Sequence, residues 1–295
     1  VGAEMCIRDS NRDENMGFLS KTLLPDGTEI PGTNFDYNYL QHRKVDVVSS
    51  ALDFILPFEK YKITAGAKVS FTNTRNGINY DTSDPTLVQD DYFRYKEQIY
   101  ALYADYSREF SERFSMQLGL RMEHTRTTGI SEAKDTEDKH DYTRLFPTVY
   151  LLYSPTDGHA LNFSFSNRIS RPSQNMVNPF PFYQNKYTYA CGREDLKPSY
   201  TYNAELGYTL KNNFNVSAYY SYSDDVFFQV VDLDAETNVT SFLWENFMQT
   251  HAFGLNNSYT FRTKWLQTYA HHGVSYRRTT SSAATTSPEE KGWAY

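Results

Sequence analysis

The sequence predicts an all-β chain, a transmembrane antiparallel β-barrel present as about ten long strands of a larger barrel. Three observations predict it. Short polar turns at Phe58-Glu59, Ser111-Glu112, Thr156-Gly158, Asn212-Asn213 and Arg262-Lys264 recur about fifty residues apart, whereas the connections between them are longer and more polar. That asymmetry marks a barrel with tight turns on one rim and loops on the other. The flanking segments alternate apolar and polar residues with period two, and they outrun the five or six residues usual in soluble strands. The central positions of the apolar faces carry no lysine or arginine.

Taken along the chain, strands are expected at 42–56, 61–76, 93–110, 113–130, 141–154, 159–171, 199–211, 214–230, 240–261 and 265–280. In the second, Tyr61, Ile63, Ala65, Ala67, Val69 and Phe71 oppose Lys62, Thr64, Gly66, Lys68, Ser70 and Thr72. The fourth sets Phe114, Met116, Leu118, Leu120 and Met122 against Ser115, Gln117, Gly119, Arg121 and Glu123. In the sixth, Leu161, Phe163 and Phe165 alternate with Asn162, Ser164, Ser166 and Arg168. The seventh sets Tyr202, Ala204, Leu206 and Tyr208 against Asn203, Glu205, Gly207 and Thr209. A lysine or arginine facing lipid at the midplane would cost about 2–4 kcal/mol. Lys62, Lys68, Arg121 and Glu205 all fall on the other face. Sixteen residues reach roughly 50 Å, and a tilt near 40° leaves about 40 Å along the normal, more than the apolar band of about 25 Å. Strands are therefore expected to project beyond the membrane.

Composition is consistent with this. Hydrophobic residues make up 39% and mean hydropathy is -0.65, too polar for a bundle of spanning helices. The 25 tyrosines and 20 phenylalanines suit interfacial girdles. A tyrosine-rich soluble β-sandwich would share the alternation but not the strand length. The net charge is -7, with acids concentrated at Asp81 to Asp84, Asp90-Asp91 and from Glu132 to Asp141, which read as solvated outer loops. No basic run points to nucleic acid. Cys6 and Cys191 supply neither a disulfide framework nor a CxxC metal motif.

The two ends read differently. Residues 1–15 are expected to lie outside the barrel, because Val1 to Ser10 has no strand pattern and resembles translated adapter sequence. Residues 16–295 are expected to form the partial barrel. Gly292-Trp293-Ala294-Tyr295 reads as the start of a further strand, so the chain is expected to be an internal fragment whose unpaired edges would make it aggregate alone.

Common catalytic signatures, G-x-S-x-G, H-E-x-x-H and phosphate-binding glycine loops, do not occur. Arg168, Asp224 and Asp225 read as strand-end charges, so no catalytic residue and no cofactor is assigned. His271-His272 cannot chelate one ion from opposite faces of a strand. His124, His140 and the acids between them form a solvated loop rather than a metal site, and no metal is expected.

The stretch 168–200 is the most distinctive. It contains Arg171-Pro172-Ser173, Asn178-Pro179-Phe180, Tyr187-Thr188-Tyr189, Gly192, Leu196-Lys197-Pro198 and Tyr200. This order resembles the outer-membrane β-barrel family of TonB-dependent-receptor-like proteins common in Bacteroidetes, and the likeness extends from about 42 to 280, including Leu145-Phe146-Pro147. Where that family has G-N-P, this chain has Gly192-Arg193-Glu194. The resemblance implies a barrel of about twenty-two strands around a plug, in the outer membrane of a Gram-negative bacterium. It also implies import of a scarce nutrient with energy from a TonB-type partner. The alternative is a passive pore or surface-binding barrel without that coupling. Expected partners are outer-membrane lipid, the plug, the TonB-type protein and a small nutrient ligand. In the long loop, Pro172, Pro179, Pro181 and Pro198 remove backbone donors and stiffen the chain. Asn178, Phe180, Tyr183, Tyr187 and Tyr189 are the ligand-binding candidates, although the same aromatics could fold the loop back onto the wall.

Overall fold

Apolar residues at every second position force each segment to turn one face to a nonaqueous phase, and the backbone answers with long strands. A computed structural model describes residues 1–31, 35–82, 90–211, 213–282 and 288–295. Its strands are β1 (Gly2–Ser20), β2 (Phe35–Pro57), β3 (Tyr61–Thr82), β4 (Asp91–Ser111), β5 (Phe114–Ser131), β6 (Thr136–Tyr153) and β7 (His159–Ser170). After a single-turn helix α1 (Gln174–Val177) come β8 (Phe182–Asn185), β9 (Thr188–Cys191), β10 (Ser199–Leu210), β11 (Phe214–Asp234), β12 (Val239–Arg262), β13 (Gln267–Ser281) and β14 (Glu289–Ala294). Apart from β8 and β9, each strand pairs antiparallel with its neighbours in the chain, so the sheet is an up-and-down meander. Among the described residues β1 and β14 have one strand neighbour each, and the sheet is open.

The register carries the face assignment across the whole sheet. Leu52, Ala67, Leu102, Met122 and Leu145 stand opposite one another in turn across β2 to β6. Phe165, Ala204, Tyr220, Phe253, Tyr276 and Trp293 do the same from β7 to β14. Directly opposed residues share a face. Most of these residues are exposed and the rest half-buried, with Leu102 at 57% and Leu145 at 53%, and a contiguous apolar surface of this extent marks contact with lipid. A β-sandwich would bury such rows under a second sheet, and there is none among the described residues.

Tight connections lie at one rim, with the Phe58 amide bonded to the Tyr61 carbonyl at 2.9 Å and the Thr263 amide to the Leu266 carbonyl at 2.7 Å. The expected turn at Asn212 lies outside the described residues, as do Asp84 and part of the connection from Ser281 to Lys291.

Several expectations are corrected. Residues 1–15 do not stand apart. Gly2–Ser20 is a strand whose nineteen residues pair with β2 from Asp53 to Phe35, and its Ala3 and Ile7 continue the outward rows of Leu52 and Val48. The run Glu132 to Asp141 is loop only as far as Asp135, and β6 begins at Thr136. His124 lies opposite Thr143 on the outward face whereas His140 lies opposite Thr127, which is buried, so the two imidazoles point to opposite sides of the sheet. Strands β2 and β3 also extend well above the expected limits of 42 and 76, because Tyr37, Tyr39, Ile78 and Tyr80 are buried on the inner side by the long loop.

Candidate functional site

The site begins with a proline. Pro147 has no amide hydrogen, and the ladder between β6 and β7 ends one residue away at Thr148 and Ser166. Above this point the two strands separate, β7 ends at Ser170, and the chain leaves the wall as the long loop 171–198. The loop folds inward. It carries α1, β8 and β9 and returns to the wall at Ser199.

Arg171 anchors the departure. Its Nη2 donates to Glu123 Oε2 at 2.6 Å and to Thr125 Oγ1 at 3.1 Å, while its Nε lies 3.8 Å from Glu97. Arg121 donates to the other Glu123 oxygen at 2.5 Å. Glu97 sits above the apolar band, and burial pushes its carboxyl above the ordinary range, a shift that Arg171 opposes.

The prolines lose donors but keep their carbonyls, and side chains of the wall use them. Tyr37 and Tyr80 donate their hydroxyls to the Pro181 carbonyl at 3.3 and 3.1 Å. Lys134 Nζ donates to the Pro179 carbonyl at 3.3 Å and Cys191 Sγ to the same oxygen at 3.0 Å. Phe180 is 2% exposed and meets Phe93 edge to face at 6.3 Å. With Tyr37, Tyr39, Ile78, Val177 and Leu196 it forms the main buried apolar cluster among the described residues. The far side of the loop is held differently. β9 pairs in parallel with β12 over Thr188–Cys191 and Thr240–Leu243, and Asn246 accepts from the Lys197 amide at 2.8 Å and donates back to its carbonyl at 2.9 Å.

The five ligand-binding candidates therefore divide. Asn178 and Phe180 are buried, with the Asn178 side chain accepting from the Phe180 amide at 3.2 Å, and they hold the loop. Tyr183 and Tyr189 are half-buried and face each other at 5.3 Å. Tyr187 is exposed at 54%. The residues that replace G-N-P have partners of their own: Arg193 bridges Asp195 and Glu245 at 2.7 and 2.5 Å, and Glu194 accepts from Thr136 at 3.0 Å. Sequence reading missed Glu97, Glu123 and Thr125 as members of this site. Their only signal is polarity on the inner face of β4 and β5.

Cys191 reports whether the loop is docked. Burial pushes its thiol up, so at pH 8 it holds little thiolate while the loop is in place. Maleimide labelling followed by mass spectrometry should be slow in native membranes and fast in denaturant. Equal rates in the two conditions would mean that the loop stands open.

The model of the outer membrane protein beta-barrel family matches residues 3–295. The chain belongs to that family. As a member of the outer membrane protein beta-barrel family, it resides in the cell outer membrane of a Gram-negative bacterium. Similar solved structures include the copper transporter OprC, with 13% identity and a TM-score of 0.57, matched over 92% of this chain and 47% of that one. Another is the ferripyoverdine receptor of the outer membrane of Pseudomonas aeruginosa, bound to ferripyoverdine, with 15% identity, a TM-score of 0.56 and coverage of 99% and 40%. A third is a mutant ferric enterobactin receptor of the same organism, PfeA, in complex with enterobactin, with 13% identity, a TM-score of 0.52 and coverage of 94% and 41%. At these identities the likeness concerns the fold, and the chain spans less than half the length of each. A search of curated proteins finds no match.

Proposed function

We infer that this chain forms barrel wall and outer loops of a TonB-dependent-receptor-like importer, which binds a scarce nutrient at its outer face and passes it through a plugged lumen. The observation that carries this reading is the inward-folded loop 171–198, packed on β2 to β4 at one side and hydrogen-bonded to β12 at the other. A simple open pore would leave that space to water. The proteins of similar fold, a copper transporter and receptors for ferripyoverdine and ferric enterobactin, support the same reading. Tyr187, with Tyr183 and Tyr189 beside it, is the part of the loop available to a ligand, while Asn178 and Phe180 keep the platform in place. The polar inner wall, including Glu205 and Lys68, would face the plug, and a TonB-type protein would supply energy. No catalytic role belongs to any residue in this reading.

Uptake by cells that carry the intact protein tests it. Accumulation of the nutrient should saturate with concentration and collapse when an uncoupler removes the proton-motive force. Uptake that stays linear and survives the uncoupler would favour the passive pore instead.

A further inference from the structure

Strand register brings together cations that lie far apart in the sequence. Lys44 stands directly opposite Arg75, and Arg75 directly opposite Arg94, so three positive side chains form a row across β2, β3 and β4 on the outward face. Lys96, two residues from Arg94 on the same face, adds a fourth. Like charges placed opposite one another are destabilising, and this arrangement needs anions.

Protein carboxylates meet the need only in part. Asp46 serves two of the cations, at 2.7 Å from Arg75 and 3.7 Å from Lys44, and Asp9 approaches Lys44 at 3.8 Å. Arg94 lies 5.8 Å from the Tyr92 ring, and neither Arg94 nor Lys96 has an ion pair among the described residues. Four cations thus share two carboxylates, in a chain whose net charge is -7.

Position selects the anion. Leu40 apart, Val48, Phe71 and Tyr100 are the uppermost exposed large apolar residues on the outward face of these strands, and Lys44, Arg75 and Lys96 each lie four residues above them. Four residues span about 13 Å along a strand, or roughly 10 Å along the normal at the usual tilt. Long basic side chains can cover that depth while their stems rest on apolar surface. The row therefore sits where lipid phosphates lie. A nucleic acid would find only this narrow strip, bordered below by lipid.

We propose that Lys44, Arg75, Arg94 and Lys96 form a binding site for the phosphate groups of outer-leaflet lipid. The lipid phosphates complete the charge balance that Asp46 and Asp9 leave open.

Native mass spectrometry of the intact barrel in detergent, titrated with a diphosphorylated glucosamine lipid, tests the site. The variant combining Lys44→Gln, Arg94→Gln and Lys96→Gln spares the Arg75–Asp46 pair and should bind that lipid at least tenfold more weakly. The same lipid without its phosphates should bind wild type as weakly as the variant binds the full lipid. Arg262→Gln, at the opposite rim, should change nothing, and slow Cys191 labelling confirms that each variant is folded. Equal lipid binding by wild type and triple variant would overturn the proposal. So would inorganic phosphate that binds as tightly as the lipid, since the site would then serve a free ion.

Discussion

Replacing Arg171 with methionine should release the outer loop from the wall. Among the described residues, Glu123 would keep Arg121 alone and Glu97 would lose its single ion-pair partner. The Glu123 side chain is 9% exposed and that of Glu97 20%, so neither carboxylate can recover its hydration in place. Breaking a buried pair on one side typically costs about 3–5 kcal/mol. The deficit should depend on pH. A carboxyl whose folded pKa is raised stabilises the fold in its protonated form, and that contribution is lost as pH rises through the folded pKa. Without Arg171 the Glu97 carboxyl should rise further, so the variant should be worse at pH 8 than at pH 5. Limited proteolysis of the loop in native membranes at the two pH values measures both effects. Adding Glu97→Gln should recover part of the loss and remove much of the pH dependence. Protection equal to wild type at pH 8 would show that the ion cluster does not hold the loop.

Gly192→Ala should be nearly as damaging, for a steric reason. A β-carbon there would lie 2.3 Å from the Asn178 carbonyl oxygen and 2.6 Å from that of Met176. Both obstacles are backbone, and both belong to hydrogen bonds that seat the loop: the Gly192 amide to Asn178 at 2.9 Å and the Arg193 amide to Met176 at 2.8 Å. The extra methyl cannot be absorbed by a rotamer change. Overpacking of this kind costs about 1–3 kcal/mol. A loss near 2 kcal/mol would raise the undocked population roughly thirtyfold. The rate of Cys191 labelling should rise accordingly. An unchanged rate would mean that the segment 176–193 can shift as a unit.

Much of the wall could be read from the sequence, because a lipid-facing strand repeats its signal every second residue. Tyr61 to Phe71 and Phe114 to Met122 fall on the faces assigned to them. The limits were less legible wherever the outward face turns polar. At Tyr37 and Tyr80 the alternation no longer separates grease from water, since the inner face there packs against the loop. β1 was missed for a related reason: Glu4, Arg8, Asp9 and Asp13 obscure the contribution of Ala3, Met5 and Ile7, and only pairing with β2 reveals it. Within the loop the motif residues were visible but their roles were not. Gly192 is required by its distance to α1, and Arg171 by two glutamates on strands far away in sequence. Contacts of that range leave no local pattern. The row of Lys44, Arg75 and Arg94 was likewise invisible along the chain, because register alone assembles it.

The parallel ladder between β9 and β12 has a mechanical consequence. From the aromatic cluster against β2 to β4, the loop crosses to a strand that lies several hydrogen-bonded neighbours further round the sheet. It is a chord drawn across an arc. A chord of fixed length sets the radius of the arc that it spans, so the loop acts as a tie beam that keeps this part of the barrel mouth from flattening. Widening the mouth would require the tie to give way at its weaker end, the four-residue ladder, before the wall itself could flex.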